Sequence, residues 1–111
     1  MANRCFAHVC LFQLRRDLAA PEWVSLDAYA ARFRASATCL HYRFPQNVSK
    51  KGGGFDLILF SLFSDAAAKA RYVADPLHDD LTRFMDGFVG TTVVSDSHEE
   101  FAFLNILGSS S

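Results

Sequence analysis

The chain is 111 residues long, half of them hydrophobic, with 11 phenylalanines and a net charge of −1. That is one ordinary domain with no linker inside it, and its charge excludes both the basic footprint of a nucleic-acid binder and a membrane-seeking polybasic segment. No run reaches the length of a transmembrane helix.

The first element is "FAHVCLFQL", residues 6–14. Phe6, His8, Cys10, Phe12 and Leu14 face one side of a strand, and Ala7, Val9 and Leu11 face the other, so both faces are largely apolar. His8 and Gln13 interrupt the run and no small-residue cleavage site follows, so a signal peptide is not read here. Pro21 suits the first turn of a helix, and Leu26, Ala30, Phe33, Ala37 and Leu40 continue at helical spacing, which predicts a helix over roughly residues 21–38. "HYRFPQNV" holds a short edge-strand signal limited by Pro45. "SKKGGG" is a turn, and its lack of a Gly-Lys-Ser/Thr ending excludes a phosphate loop. "NVS" at 47–49 fits a glycosylation acceptor but reads as a loop coincidence without a secretion signal.

"FDLILFSLF", residues 55–63, is the clearest strand, with Phe55, Leu57, Leu59 and Phe63 on one face and Ile58, Phe60 and Leu62 on the other. Ser64 then caps a helix through "DAAAKARYV", with Asp65 in its first turn. Asp75 before Pro76 is a new cap, and Leu77, Leu81, Phe84, Met85 and Phe88 line the helix that follows. "TTVVSDS", residues 91–97, is a short β-branched strand. "HEE" at 98–100 reads as a solvated turn, "FAFLNIL" as an apolar tail suited to a sheet edge or a partner, and "GSSS" as a frayed end.

This order is the ferredoxin-like βαββαβ arrangement, an α+β fold whose antiparallel four-stranded sheet carries its helices on one face. Its first and third strands are nevertheless apolar on both faces, as strands buried from both sides are. A small domain buries only part of so large an apolar supply alone. A second copy against the helix-free sheet face is the simplest cover, and two such sheets make a dimeric α/β barrel. The expectation is a single domain over residues 1–111, with its core at about 6–97 and the tail at 98–111.

"HVCLFQL", "NVSKKGGGFD" and "YVADPLH" together resemble the stress-responsive dimeric α/β-barrel (Dabb) family. The matching positions are His8, Asn47 and Ser49, Gly54, Phe55 and Asp56, and Tyr72, Pro76 and His78, with Asp96 in the last strand. The resemblance spans most of residues 7–97 and implies a homodimer with a cleft between sheet and helices. Many members are known only as stress-induced proteins, while a plant branch contains olivetolic acid cyclase, which closes a ring by aldol chemistry without a cofactor. That branch implies Tyr72 and His78 as a catalytic pair, and His8, Cys10, Phe12 and Leu59 as lining for a small apolar ligand. Two departures stand out: Leu57 or Asp56 replaces a further pocket histidine, and Val89 replaces an aromatic.

In the acid–base reading, a neutral His78 takes a proton next to a carbonyl, and Tyr72 donates to the enolate oxygen that develops. The competing reading makes Tyr72 helix-end packing and His78 a first-turn polar residue. His8 is assigned to pocket lining, and Cys10 is a small hydrophobe with no legible partner for a thiolate. The four histidines (His8, His41, His78, His98) show no paired metal spacing, so neither metal nor cofactor is expected. Three cysteines, Cys5, Cys10 and Cys39, without framework spacing read as reduced thiols of a cytoplasmic protein. RNA recognition shares the βαββαβ order, but Gly53 stands where its strand signature needs an aromatic, and Asp56 follows. The functional expectation is therefore a cofactor-free cyclase- or lyase-like enzyme on a polyketide-like or aromatic substrate. Its alternatives are a non-catalytic stress-responsive dimer that binds a small apolar ligand, and a cofactor-independent monooxygenase.

Overall fold

Strand β1 (Arg4–Leu14) is central in the sheet of the computed structural model, which describes residues 4–100. β3 (Leu57–Phe63) pairs with it antiparallel on one side and β4 (Val89–Glu100) on the other, while β2 (Cys39–Arg43) flanks β3. The sheet order β2-β3-β1-β4, with helix α1 (Ala20–Arg34) after β1 and helices α2 (Ala66–Ala74) and α3 (Pro76–Met85) after β3, is the ferredoxin-like topology expected. Among the described residues, no helix is long and apolar enough to cross a membrane. The apolar tail "FAFLNIL" and the terminal "GSSS" lie outside the described residues.

The period of two in β1 and β3 divides the sheet into two unlike faces. Cys10, Phe12, Leu57, Leu59 and Phe63 turn toward the helices, where they meet Leu26, Ala30 and Phe33 of α1 and Leu81 and Met85 of α3. On the opposite face, Val9, Phe60 and Leu62 border a shallow apolar groove of about 610 Å³, with Phe60 40% exposed. His41 packs edge-on against the Phe60 ring there, at 5.2 Å between centroids.

Helix α1 stops at Arg34, four residues short of the periodicity's reach. Beyond it the hydroxyls of Ser36 and Thr38 bond each other at 3.2 Å, and the Cys39 amide bonds the Ser36 carbonyl, a local network that competes with helix continuation. Cys39 must also become extended to pair with Phe63, which leaves Ala37 in a turn and Leu40 on an exposed strand position. The cap of α2 is Asp65 rather than Ser64: its carboxylate accepts from the Ala68 amide at 2.8 Å, a bond to ionised oxygen. Asp75 caps α3 as expected, accepting from the Leu77 amide at 2.9 Å, with Pro76 at the first helical position.

Two loop readings change with the structure. Asn47 is a structural staple: its side-chain amide donates to the Phe55 carbonyl at 2.8 Å, and its side-chain oxygen accepts from the Ser49 amide at 3.0 Å. Gly53 and Gly54 turn the chain behind it with φ of +62° and +85°, a region costly for any residue with a Cβ. The last strand is longer than "TTVVSDS", because β1 offers pairing along its whole length, from Arg4 opposite Glu100 to Leu14 opposite Val89. His98 and Glu99 thus belong to a strand instead of a turn, and His98 packs edge-on against Phe6.

Candidate functional site

Between the sheet and the α2–α3 pair lies a cleft of about 240 Å³. Its sheet side is formed by His8, Cys10 and Phe12 of β1, Leu59 of β3, and Thr92 and Val94 of β4, and its helix side by Tyr72, His78, Leu81 and Met85. All six residues singled out in the sequence for a site therefore border one cavity. Val89, in place of an aromatic, also lines it, whereas Leu57 is fully buried in the core and does not.

The break between α2 and α3 sets the positions of Tyr72 and His78. Asp75 is extended (ψ 133°), the conformation that a following proline favours. The two rings meet edge to face across it, with centroids 4.8 Å apart and planes at 83°. Burial lowers the pKa of His78, and the nearby charges of Asp79 and Asp75 counter this only in part, so the imidazole is neutral at pH 7.

Tyr72 is a buried residue, only 7% exposed, set among Phe33, Phe63 and Tyr42. Its hydroxyl lies 2.7 Å from that of Tyr42, which is itself completely buried. Burial drives both phenol pKa values far above their usual range, so both are protonated at any physiological pH. Tyr72 can thus act as a hydrogen-bond donor and cannot serve as a base.

His8 occupies the opposite wall in a well-determined orientation. It stands across the ladder from Asp96, and its Nδ1 lies 2.6 Å from Asp96 Oδ1. Burial alone would raise the Asp96 pKa, but the His8 hydrogen bond and charge and the Lys69 ammonium outweigh it, so the carboxyl ionises more readily than usual. Lys69 Nζ sits 3.5 Å from Asp96 Oδ2. An ionised carboxylate only accepts, which places a ring hydrogen of His8 on Nδ1, directed at Asp96. Cys10 Sγ lies 3.4 Å from the ring's Nε2, and its thiol is pushed up to about 11 by burial and then by Asp96, so it stays a neutral thiol beside the ring. Ser61, fully buried, donates to the His8 carbonyl at 2.6 Å and fixes the backbone beneath the ring.

The fold brings the partners Asp96, Lys69 and Tyr42 to the lining residues. Asp96 could be found in the sequence through the family pattern, whereas Lys69 and Tyr42 carry no such signal. Among the described residues, no group of three or more His, Cys, Asp or Glu side chains is arranged to hold a metal ion.

Solved structures of low sequence identity share this architecture. A Dabb family protein with a ferredoxin-like fold from Mesorhizobium loti is 21% identical with a TM-score of 0.69, covering 86% of this chain and 96% of its own. A dimeric ferredoxin-like protein of unknown function from Thermobifida fusca is 12% identical with a TM-score of 0.69, over 86% and 91% of the two chains. Hydroxynitrile lyase from Passiflora edulis is 11% identical with a TM-score of 0.72, over 86% and 93%. None of the curated proteins matches the sequence. The profile of the stress responsive A/B barrel domain matches residues 6–99, nearly the whole described chain, and the protein belongs to that family.

Proposed function

We propose that the protein is a cofactor-free acid–base catalyst of the cyclase or lyase kind, acting on a small, largely apolar carbonyl compound. The observation that carries this reading is the meeting of a neutral imidazole, His78, and a protonated phenol, Tyr72, on one wall of an apolar cleft. His78 removes a proton from the carbon next to the carbonyl, and Tyr72 donates a hydrogen bond to the oxygen on which negative charge develops. His8, held by Asp96, orients the ligand from the opposite wall. A cleft of about 240 Å³ suits a single-ring compound better than a long chain. A neighbour described as a hydroxynitrile lyase is consistent with such chemistry on this fold, although at 11% identity it speaks for the fold only.

The same proposal includes a homodimer. The apolar groove at Val9, Phe60 and Leu62 needs a cover, and a second copy packed sheet to sheet supplies one, as the dimeric description of the Thermobifida neighbour supports.

A second reading, a non-catalytic binder of small apolar ligands, is favoured by one observation: the Tyr72 hydroxyl already has a partner in Tyr42. Hydrogen–deuterium exchange of the methyl group of acetophenone, followed by NMR, separates the two, since it reports proton removal next to a carbonyl without requiring the natural substrate. The catalytic reading expects acceleration by the wild type and its loss in both Tyr72→Phe and His78→Ala, with the oligomer unchanged by sedimentation. Binding of the ketone without any acceleration supports the binder instead.

A further inference from the structure

The two buried hydroxyls of Tyr42 and Tyr72 carry two hydrogens between them, but the 2.7 Å contact uses only one. The other needs an acceptor elsewhere, and the surroundings of the two oxygens decide which one it is. Tyr42 is completely buried, and among the described residues its hydroxyl has no second partner. If Tyr72 donated, the Tyr42 hydrogen would be left unsatisfied in the core, where neither water nor ligand reaches it. If Tyr42 donates, the spare hydrogen belongs to Tyr72, which forms a wall of the cleft. Only this second arrangement leaves no polar hydrogen stranded once the cleft is filled.

We propose that Tyr42 is a positioning residue: it donates to Tyr72 Oη, so that Tyr72 turns its own hydroxyl hydrogen to the cleft and selects a ligand bearing a carbonyl or oxyanion oxygen there. The inference builds on Tyr72 as the donor of the acid–base reading, and it extends that role to a strand residue outside the cleft lining. Donation from Tyr42 also polarises the Tyr72 O–H, making it a stronger donor than an isolated phenol. Arg34 supports the arrangement from outside, since its guanidinium holds the Tyr42 backbone carbonyl at 2.7 Å and pins this residue of the edge strand.

The test needs no turnover. The chain has three tyrosines, so hydroxyl hydrogen exchange is resolvable at each ring by NMR of the Cζ carbons in mixed light and heavy water. A Tyr72 hydroxyl that exchanges much faster than that of Tyr42 is expected. A Tyr72 hydroxyl as slow as that of Tyr42 overturns the proposal, and this measurement decides the matter alone if no probe binds. The second measurement compares dissociation constants for acetophenone and for ethylbenzene, which lacks the acceptor. The wild type should prefer the ketone by about threefold to tenfold, the worth of one net hydrogen bond. Tyr72→Phe should erase the preference and Tyr42→Phe should reduce it, whereas a preference unchanged by Tyr42→Phe refutes the positioning role. Ketone selectivity without catalysed exchange of its methyl hydrogens would sink the acid–base reading while leaving this inference standing.

Discussion

Removing Asp96 tests the wall of the cleft on which His8 stands. His8 is 7% exposed, and its Nδ1–H gives its hydrogen to Asp96 Oδ1 at 2.6 Å. Asp96→Ala leaves that donor without an acceptor in a largely apolar place, a loss of about 1–3 kcal/mol. Because the Asp96 side chain is 35% exposed, solvent already screens the charge component and water enters part of the gap, so the lower half, about 1–2 kcal/mol, is expected. Asp96→Asn retains an acceptor oxygen and loses only the charge, and should cost less than about 1 kcal/mol. Urea titration reads both, through a lowered midpoint at unchanged slope. Ring-nitrogen NMR of His8, taken where the ring carries a single proton, reads the cause: the wild type should hold that proton on Nδ1, and the Ala variant should show both tautomers. The sign of the pH dependence follows from the lowered Asp96 pKa. The stabilisation is fully present above the ordinary value of 3.8 and disappears as pH falls through the lower folded value, so Asp96→Asn should flatten that part of the acid limb. An Ala variant as stable as the wild type, or a wild-type proton on Nε2, would refute the reasoning.

His78 has a lowered pKa in the folded protein, so the folded state takes up its proton later than the unfolded chain, whose ordinary value is 6.5. Its contribution to stability is present above 6.5 and lost as pH falls through the folded value, and catalysed ketone exchange should fall along the same limb with a midpoint below 6.5. A midpoint above 6.5 in the wild type counts against His78 as the base. Leu57 is completely buried beneath the sheet yet outside the cleft, so Leu57→Ala should lower stability by about 2–5 kcal/mol without altering ketone selectivity. Denaturant titration and the binding ratio check the two halves of that statement separately. Gly54 holds a φ of +85°, and a Cβ there would stand 3.2 Å from the Gln13 amide nitrogen. Gly54→Ala should therefore cost about 1–2 kcal/mol, mainly backbone strain, and a neutral result in the same titration would show that the β2–β3 turn relaxes.

Much of the fold was legible because β1 and β3 announce themselves through alternating positions that are apolar on both faces, and because Asp75-Pro76 is an unambiguous break. The helix end after Arg34 was not, since Ala37 and Leu40 prolong the apolar period past the point where the chain must become strand. That decision is made by pairing of Cys39 with Phe63, a contact that no local window contains. The site divides in the same way. Its lining residues lie in elements with clear periodicity, so their common face followed from the pleat and from the family pattern. Their partners did not: His8 and Asp96 are 88 residues apart, and their meeting depends on the β1–β4 register. Tyr42 faces the helices because β2 shifts register between Cys39 and His41, an irregularity with no signature in "CLHYR".

The segment around Pro76 shows how local chemistry becomes site geometry. Six residues along an uninterrupted α-helix turn a side chain by about 600°, leaving it about 120° around the axis and about 9 Å along it. Tyr72 and His78, six apart, would then point in different directions and could not share a ligand. Asp75 prevents this by ending α2 in an extended conformation and capping α3 with its own carboxylate, which restarts the helix along a new axis. The two rings then stand 4.8 Å apart. The aspartate and proline thus do more than separate two helices: they bring a phenol and an imidazole six residues apart side by side on one wall of the cleft. A continuous-helix replacement, Asp75→Ala with Pro76→Ala, should part the rings and abolish ketone exchange while leaving His8 on Asp96, and exchange that survived in such a variant would show that Tyr72 and His78 do not act together.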